Sequence, residues 1–495
     1  MTGNPAELGP SQEWTRSRDA ESGGGGGGRR VFLGNFTCEL DWGGRFLEWQ
    51  SLGGQSLKEQ AAGGRAGGLL VSLTDRLRSL NAELAWSWLP LVRPGDLVLG
   101  VASSTQAISA TSEMWFPCLP PDRLQGLDFY TQCPPELSGT LVPWGWTPAA
   151  RDLAERLAKR WGHSLEIPPL MEVSQVNSRV QRWQWEQELG LALPGSRVID
   201  SLSDFPSALR DLPDSAAGWI LKANFGMSGR EAIRGVGDKV TEPQRRFFEQ
   251  RLAATGPLVL EPLLDAMAEA GVQWELSQNG TIALVGVAEQ VAAGGSWQGS
   301  GWSSEPVPAA WREAVEATRL VAQKVSAAGY FGPLGIDVMR YRDAAGHERL
   351  RPLQDLNARF TMGRLALGWR DWLPAGWSGL WRVCPGTAVD LVRTFCEEVR
   401  RDGDQEVVAW LTTPVFPQAG PTSEEHRLSS SRPSGVSTQR AKGASTPSRP
   451  TAVPEFAAFK SLRSVRVLLA AADLPRRRQL EESLAARLAG IVRKP

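Results

Sequence analysis

Histidine and tyrosine are scarce in this chain of 495 residues, with three of each, although tryptophan reaches 21. Three histidines leave little material for Ser-His triads or histidine-rich metal centres. His163, His347 and His426 have no evident chemical partner in the sequence. The five cysteines, Cys38, Cys118, Cys133, Cys384 and Cys396, form no CxxC pair. Neither a zinc knuckle nor a disulfide framework is signalled, so buried free thiols are expected. Charge of one sign is also lacking, because 54 basic residues cancel 54 acidic ones. Without a net field or a long Lys/Arg run, nucleic acid is not an expected partner. No apolar stretch approaches the roughly 20 residues of a membrane helix. The first residues lack the basic-then-apolar order of a signal peptide, so no membrane partner and a cytoplasmic location are expected. GxxxxGK[ST] and GxSxG are missing as well, which excludes P-loop phosphoryl chemistry and a nucleophile elbow.

What is present suits a globular enzyme of roughly three domains. Residues 1–29, which include a run of six glycines, read as a disordered leader. Residues 30–170 alternate strand and helix signals: Val31 to Leu33, Asp96 to Val101 and Gly139 to Val142 read as strands. Thr147-Pro148 then starts a helix with Leu153, Leu157 and Trp161 on one face, stopped by Gly162. Residues 171–400 form a second block, with 401–416 as its end. Residues 417–455 are too poor in apolar side chains to offset their ordering entropy and read as a disordered linker. Residues 456–495 read as a closing strand and helix packed back on the body. The tryptophans, among them Trp144, Trp161, Trp369 and Trp381, are expected in cores.

Chemistry concentrates between Val173 and Gly363. Trp219 to Lys222 (WILK) is an apolar strand ending in lysine, followed by a Gly/Ser loop through Gly226, Ser228 and Gly229. A lysine beside such a loop suits anionic oxygens; a hairpin with a solvated lysine is the plainer alternative. Glu261 interrupts the apolar strand LVLEPLL and needs a partner, either a ligand or a cation. Asn279-Gly280 marks a hairpin whose first strand sends Gln273, Glu275 and Ser277 to one face. After a helix over Ala309 to Ala328, two strands each carry one acid: Asp337 in GIDVMRYR and Asp355 in RLRPLQDL. Two carboxylates on neighbouring strands, with Asn357 two residues after the second, make an oxygen site suited to Mg²⁺. Two unrelated strand-end acids would look the same in isolation.

Taken in order, WILKANFGMSGRE, LVLEPLLD, and YFGPLGIDV followed by LQDLNAR resemble the ATP-grasp superfamily over Val173 to about Leu367. The resemblance implies an α/β (α+β) fold. An N-terminal open α/β pre-ATP-grasp domain would precede a two-lobed ATP-grasp domain with mixed and antiparallel sheets, its lid at about 200–260. It implies ATP and Mg²⁺ (or Mn²⁺) as cofactors. Lys222 and Arg179 would bind phosphates, with Gly226, Ser228 and Gly229 as the closing loop. Glu261 would be the hinge acid near the adenine amino group, and Leu263 would give backbone contacts to the ring. Asp337, Asp355 and Asn357 would be the metal ligands, and Arg359, with Lys222, would act in catalysis. Asp355 stands where most members carry glutamate, one methylene longer.

The implied activity is that of a ligase that activates a small-molecule carboxylate as an acyl phosphate for attack by an amine or similar nucleophile. Two other readings remain open: a nucleotide-binding scaffold or regulatory protein that makes no bond, and phosphoryl transfer to a non-carboxylate acceptor. The particular substrates and the oligomeric state are not written in the chain.

Overall fold

The computed structural model describes residues 29–39, 42, 80–100, 116–125, 127–130, 133, 136–213, 218–226, 231–293, 296–414 and 464–492. The leader through residue 28 and the linker of residues 417–455 fall outside the described residues, as do Ser228 and Gly229.

The chain opens with a parallel layer. Strands β1 (Arg30–Leu33), β2 (Leu97–Leu99), β3 (Asp128–Tyr130) and β4 (Thr140–Pro143) lie in the order β3-β2-β1-β4. A single turn, α1 (Pro121–Leu124), precedes β3, and α2 (Pro148–Trp161) follows β4. Strand alternation divides the layer's side chains. Val31, Leu97 and Leu141 face Ala154 and Leu157 of α2. Phe32, Val98 and Phe129 enter an aromatic core with Trp86, Trp88 and Trp144. The α2 boundaries match the expected signals, since the Thr147 side chain accepts from the Ala150 N–H and Gly162 ends the helix at φ 73°.

Next come α3 (Leu170–Asn177), α4 (Arg179–Glu188), β5 (Arg197–Ile199), α5 (Phe205–Arg210), β6 (Trp219–Lys222), β7 (Ala232–Gly235), α6 (Glu242–Thr255) and β8 (Leu258–Pro262). The four strands form an antiparallel sheet in the order β5-β8-β6-β7. Its core of Phe205, Trp219, Leu221, Phe248 and Leu260 joins the sheet to α5 and α6. The resemblance assigns a lid to about 200–260, and this sheet runs from Arg197 to Pro262.

The remaining elements are β9 (Asp265–Leu276), β10 (Ile282–Ala293), β11 (Ser296–Trp302), α7 (Arg312–Ala327), β12 (Gly332–Arg342), β13 (Glu348–Asn357), α8 (Met362–Gly368), β14 (Ser378–Pro385), α9 (Val389–Asp402), β15 (Val407–Leu411), β16 (Ser464–Ala471) and α10 (Leu474–Val492). All eight strands share one sheet, ordered β13-β12-β9-β10-β11-β14-β16-β15. Val272, Trp274, Ile336, Val338 and Leu356 turn to α7. The opposite face of β9 carries Gln273 and Glu275, as alternation predicts, with both side chains buried. The β9–β10 turn uses Gly280 at φ 85°, and Asn279 Oδ1 accepts from the Thr281 N–H at 3.0 Å.

Two features depart from the sequence reading. The stretch from Gly294 to Glu305 reads as a loop, yet Ser296–Trp302 is a strand held between β10 and β14. Its glycines and serines carry little strand propensity of their own, so the register comes from the flanking strands. The C-terminal strand does more than pack back on the body: β16 lies between β14 and β15 and pairs with both. All the named tryptophans are buried or partly so, and the five cysteines are free, four of them buried. No helix among the described residues is long and apolar enough to cross a membrane.

Gly379 shows how tightly the large sheet is packed, because a Cβ there would lie inside the Trp302 indole. Gly379→Ala is expected to cost about 1–3 kcal/mol. The loss would be read as a lower urea midpoint at unchanged slope.

Candidate active site

The lid sheet and the large sheet meet around one carboxylate. Glu261 on β8 is fully buried and ion-paired to cations from three other elements. Lys222, at the end of β6, reaches its Oε2 at 2.9 Å. Arg182 on α4 donates to Oε1 at 2.5 Å. Arg351 on β13 clasps both oxygens, at 3.0 and 2.6 Å. Glu186, one turn along α4, accepts from Arg182 at 2.9 Å. Burial works against the Glu261 charge, but Arg351, Lys222 and Arg182 outweigh it and hold the carboxyl well below its usual range. Burial lowers the Lys222 pKa, with Glu261 opposing that shift.

This geometry corrects one expected role. Both Glu261 oxygens are taken up by cations, so its work here is to be a counter-ion rather than an acceptor for an adenine amino group. Leu263 is corrected as well, because its N–H already donates to the Gly218 carbonyl at 2.8 Å. The next residue, Leu264, lines the adjacent cleft and has no backbone acceptor for its N–H among the described residues. That cleft, of about 370 Å³, runs between the β8–β9 connection and β13, with Lys222, Leu264, Glu269, Gln290, Met339 and Gln354 on its walls. Its size suits a small organic ligand.

Asp337 and Asp355 sit directly opposite each other across β12 and β13, and Asn357 faces Gly335 one step further along the same face. The sequence expectation of a shared face is met. Asp337 accepts from Gln290 Nε2 at 2.8 Å and from Asn357 Nδ2 at 3.2 Å. Burial and then the Asp355 charge push its pKa up to about 6. Two carboxylates forced together, with an amide oxygen beside them, form a hard oxygen set that a divalent cation would relieve. Among the described residues no group of three or more His, Cys, Asp and Glu could hold a metal. The fit therefore rests on this carboxylate pair and Asn357, with a bound ligand's oxygens filling the other positions.

Arg179 departs from its expected role. Its guanidinium donates to Asp355 Oδ2 at 2.8 and 3.2 Å, to the Ala223 carbonyl at 2.9 Å and to the Gly226 carbonyl at 3.4 Å. The fork that a lysine would lack ties the loop after β6 to β13. Gly226 is required at this loop for space, since a Cβ would collide with Glu231 and stand 3.1 Å from Arg179 Nη1. Arg359 donates to Asn357 Oδ1 at 2.8 Å and pairs with Glu39, a buried acid of the parallel layer. The Trp144 ring lies under the Arg359 guanidinium at 5.7 Å. The N-terminal layer thus reaches the row of acids through Arg359. Sequence reasoning missed Arg182, Arg351, Gln290 and Glu269, each of which faces this site from a position that reads locally as solvated.

The small antiparallel sheet and the large sheet border a cleft lined by Lys222 and by Gln290, which donates to Asp337. This two-sheet arrangement is the one that the resemblance to the ATP-grasp superfamily implies. No family model matches the chain. Among curated proteins it is similar to the L-propargylglycine--L-glutamate ligase of Streptantibioticus cattleyicolor, 25% identical over 223 residues. That match covers 40% of this chain and 44% of the relative, so it spans less than half of the relative's length. Among solved structures it is similar to N5-carboxyaminoimidazole synthetase from Staphylococcus aureus complexed with ADP, at TM-score 0.46 and 9% identity over 93% of this chain and 97% of that one. Another is L-amino acid ligase from Bacillus licheniformis, at TM-score 0.38 and 13% identity over 70% and 79% of the two chains.

Glu261→Ala would leave three buried cations without their shared counter-ion, at an expected cost of about 3–5 kcal/mol in denaturant unfolding. Because the folded pKa is depressed, the Glu261 contribution is complete at neutral pH and fades only as the pH falls below the ordinary glutamate value of about 4.3. A loss under about 1 kcal/mol would show that water screens the cluster.

Proposed function

We propose that the chain is a cytoplasmic, ATP- and Mg²⁺-dependent ligase that activates a small-molecule carboxylate as an acyl phosphate and passes the acyl group to an amine. The observation that carries this reading is that Asp337, Asp355 and Asn357 share one face of β12 and β13, and that Gln290, which lines the same cleft as Lys222, donates to Asp337. The curated relative, whose name describes the joining of two amino acids, supports an amino acid as one of the substrates.

In this reading ATP lies in the cleft. The Leu264 N–H donates to the adenine ring, Met339 packs against it, and Glu269, which accepts from Gln354 Nε2 at 3.0 Å, takes ribose hydroxyls. Lys222 has 12% of its side chain exposed, enough to reach the phosphates while Glu261 holds the other side of its ammonium. Asp337, Asp355 and Asn357 would hold Mg²⁺, which when bound supplies positive charge to the phosphate oxygens. A substrate carboxylate oxygen attacks the γ-phosphorus and ADP leaves. Arg359 neutralises charge on the acyl phosphate, so that an amine can attack the acyl carbon and expel phosphate. The resemblance assigns the loop of Gly226, Ser228 and Gly229 to contact with the phosphates, where exclusion of water would protect the acyl phosphate. Arg179 anchors this loop to Asp355 and would exchange that partner for phosphate oxygens as the metal takes the carboxylate.

Isothermal titration with a non-hydrolysable ATP analogue, with and without Mg²⁺, tests the reading. Magnesium-dependent binding is expected, weakened about tenfold or more by Lys222→Ala, which removes a charge-assisted contact. Asp337→Ala is expected to keep the fold and lose Mg²⁺-dependent ADP release. Absence of analogue binding in the unaltered chain would overturn the assignment.

A further inference from the structure

The face of β9 that looks into the site carries an amide that the roles above leave unused. Gln273 is 2% exposed, and its Oε1 accepts from the Thr361 hydroxyl at 2.7 Å. That hydroxyl itself accepts the Arg364 N–H at 3.1 Å as the cap of α8. With the Thr361 hydroxyl donating to its oxygen, the amide turns its NH₂ the other way. No described residue accepts from Nε2. The side chain is largely buried, and its NH₂ is left available to a ligand.

The NH₂ points to a glycine. A Cβ on Gly271 would stand 2.7 Å from Gln273 Nε2 and 3.6 Å from both Gln290 Nε2 and Asp337 Oδ1. Gly271 pairs with Asp337 on β12 and with Ala288 on β10, in the middle of the large sheet. Gln290 spends one N–H on Asp337, which leaves the second for another acceptor. Gly363 adds further room, since a Cβ there would be 3.2 Å from Gln273 Nε2. Two amide donors thus converge above a position without a side chain, beside one of the acids assigned to the metal.

We propose that Gln273 and Gln290 form a neutral cradle over Gly271 that seats the carboxylate of the acid substrate. This rests on the ligase reading and extends it to the acid's own binding groups. Two N–H donors match two carboxylate oxygens in direction and number, while a cationic partner would hold the same oxygens too firmly to attack phosphorus. The cradle brings no positive charge, so Mg²⁺, which would enter with the nucleotide, must supply it. The acid is accordingly bound after Mg²⁺ and ATP.

The test is a crystal structure of the full chain with Mg²⁺, a non-hydrolysable ATP analogue and formate, beside one grown without Mg²⁺ and nucleotide. Formate is expected over Gly271, within hydrogen-bond distance of Gln273 Nε2 and Gln290 Nε2, and only in the first crystal. Formate held elsewhere in the cleft, such as on Arg359, or missing over Gly271 while the analogue is in place, would overturn the cradle. Absence of the analogue itself would instead count against the ligase reading. Gln273→Glu replaces the donor with a negative acceptor, and Gly271→Ala fills the cradle. Each is expected to keep analogue affinity within about twofold and to weaken formate binding about tenfold or more. Equal formate affinity in both folded variants would also refute the proposal.

Discussion

The Glu261 carboxylate is the interaction on which the geometry of the cleft depends. It lies on β8, and its three cations come from β6, α4 and β13, so one buried acid joins the lid sheet, the helix before it and the large sheet. With Glu186 included, the group holds three cations against two anions and retains an excess positive charge at the cleft wall. In a site screened from bulk water such an excess is unfavourable until an anion arrives. The same arrangement that joins the two sheets therefore leaves the wall favourable to an anion.

The second constraint is the pairing of β12 with β13. Because side chains directly opposite each other in an antiparallel pair point to the same side, the register that matches Asp337 to Asp355 forces their charges together. Gln290 and Asn357 donate to Asp337 and Arg179 donates to Asp355, which keeps the pair ordered. A one-residue slip would turn both acids into the α7 core, and the apolar residues between them, Ile336 and Leu356, prevent that.

Much of this could be read from the chain, and the limits have a physical origin. WILK as a strand, the acid pair with its amide, and the caps of α2 are local patterns, and each stands where local pattern placed it. The roles of Glu261 and Leu263 were not legible, because they depend on what other elements bring to them. Arg182 lies in a helix that reads RVQRWQWEQE, where an arginine looks solvated; only contact with Glu261, 79 residues further on, buries it. Arg351 is hidden in the same way, 90 residues from its partner. The strand β11 was lost among glycines and serines, whose extended form is imposed by β10 and β14. Gln273 was legible as a face but not as a donor, since the direction of its amide follows from the Thr361 cap.

The parallel layer is coupled to this chemistry by one side chain. Glu39 follows the end of β1, and Arg359 follows the end of β13; their ion pair, the Phe360 N–H to Trp144 carbonyl bond of 2.9 Å and the Gly145–Arg359 bridge join the two folds at the row of acids. Asn35 braces the same corner, its amide holding the Gly145 carbonyl at 2.6 Å and its oxygen the Trp144 N–H at 2.8 Å. Arg359 thus has an anionic partner from the layer on one side and Asn357 on the other. Any anion that draws the guanidinium inward must compete with Glu39. This corner stands at the C-terminal ends of β1 and β4, the edge at which open parallel sheets bind their ligands.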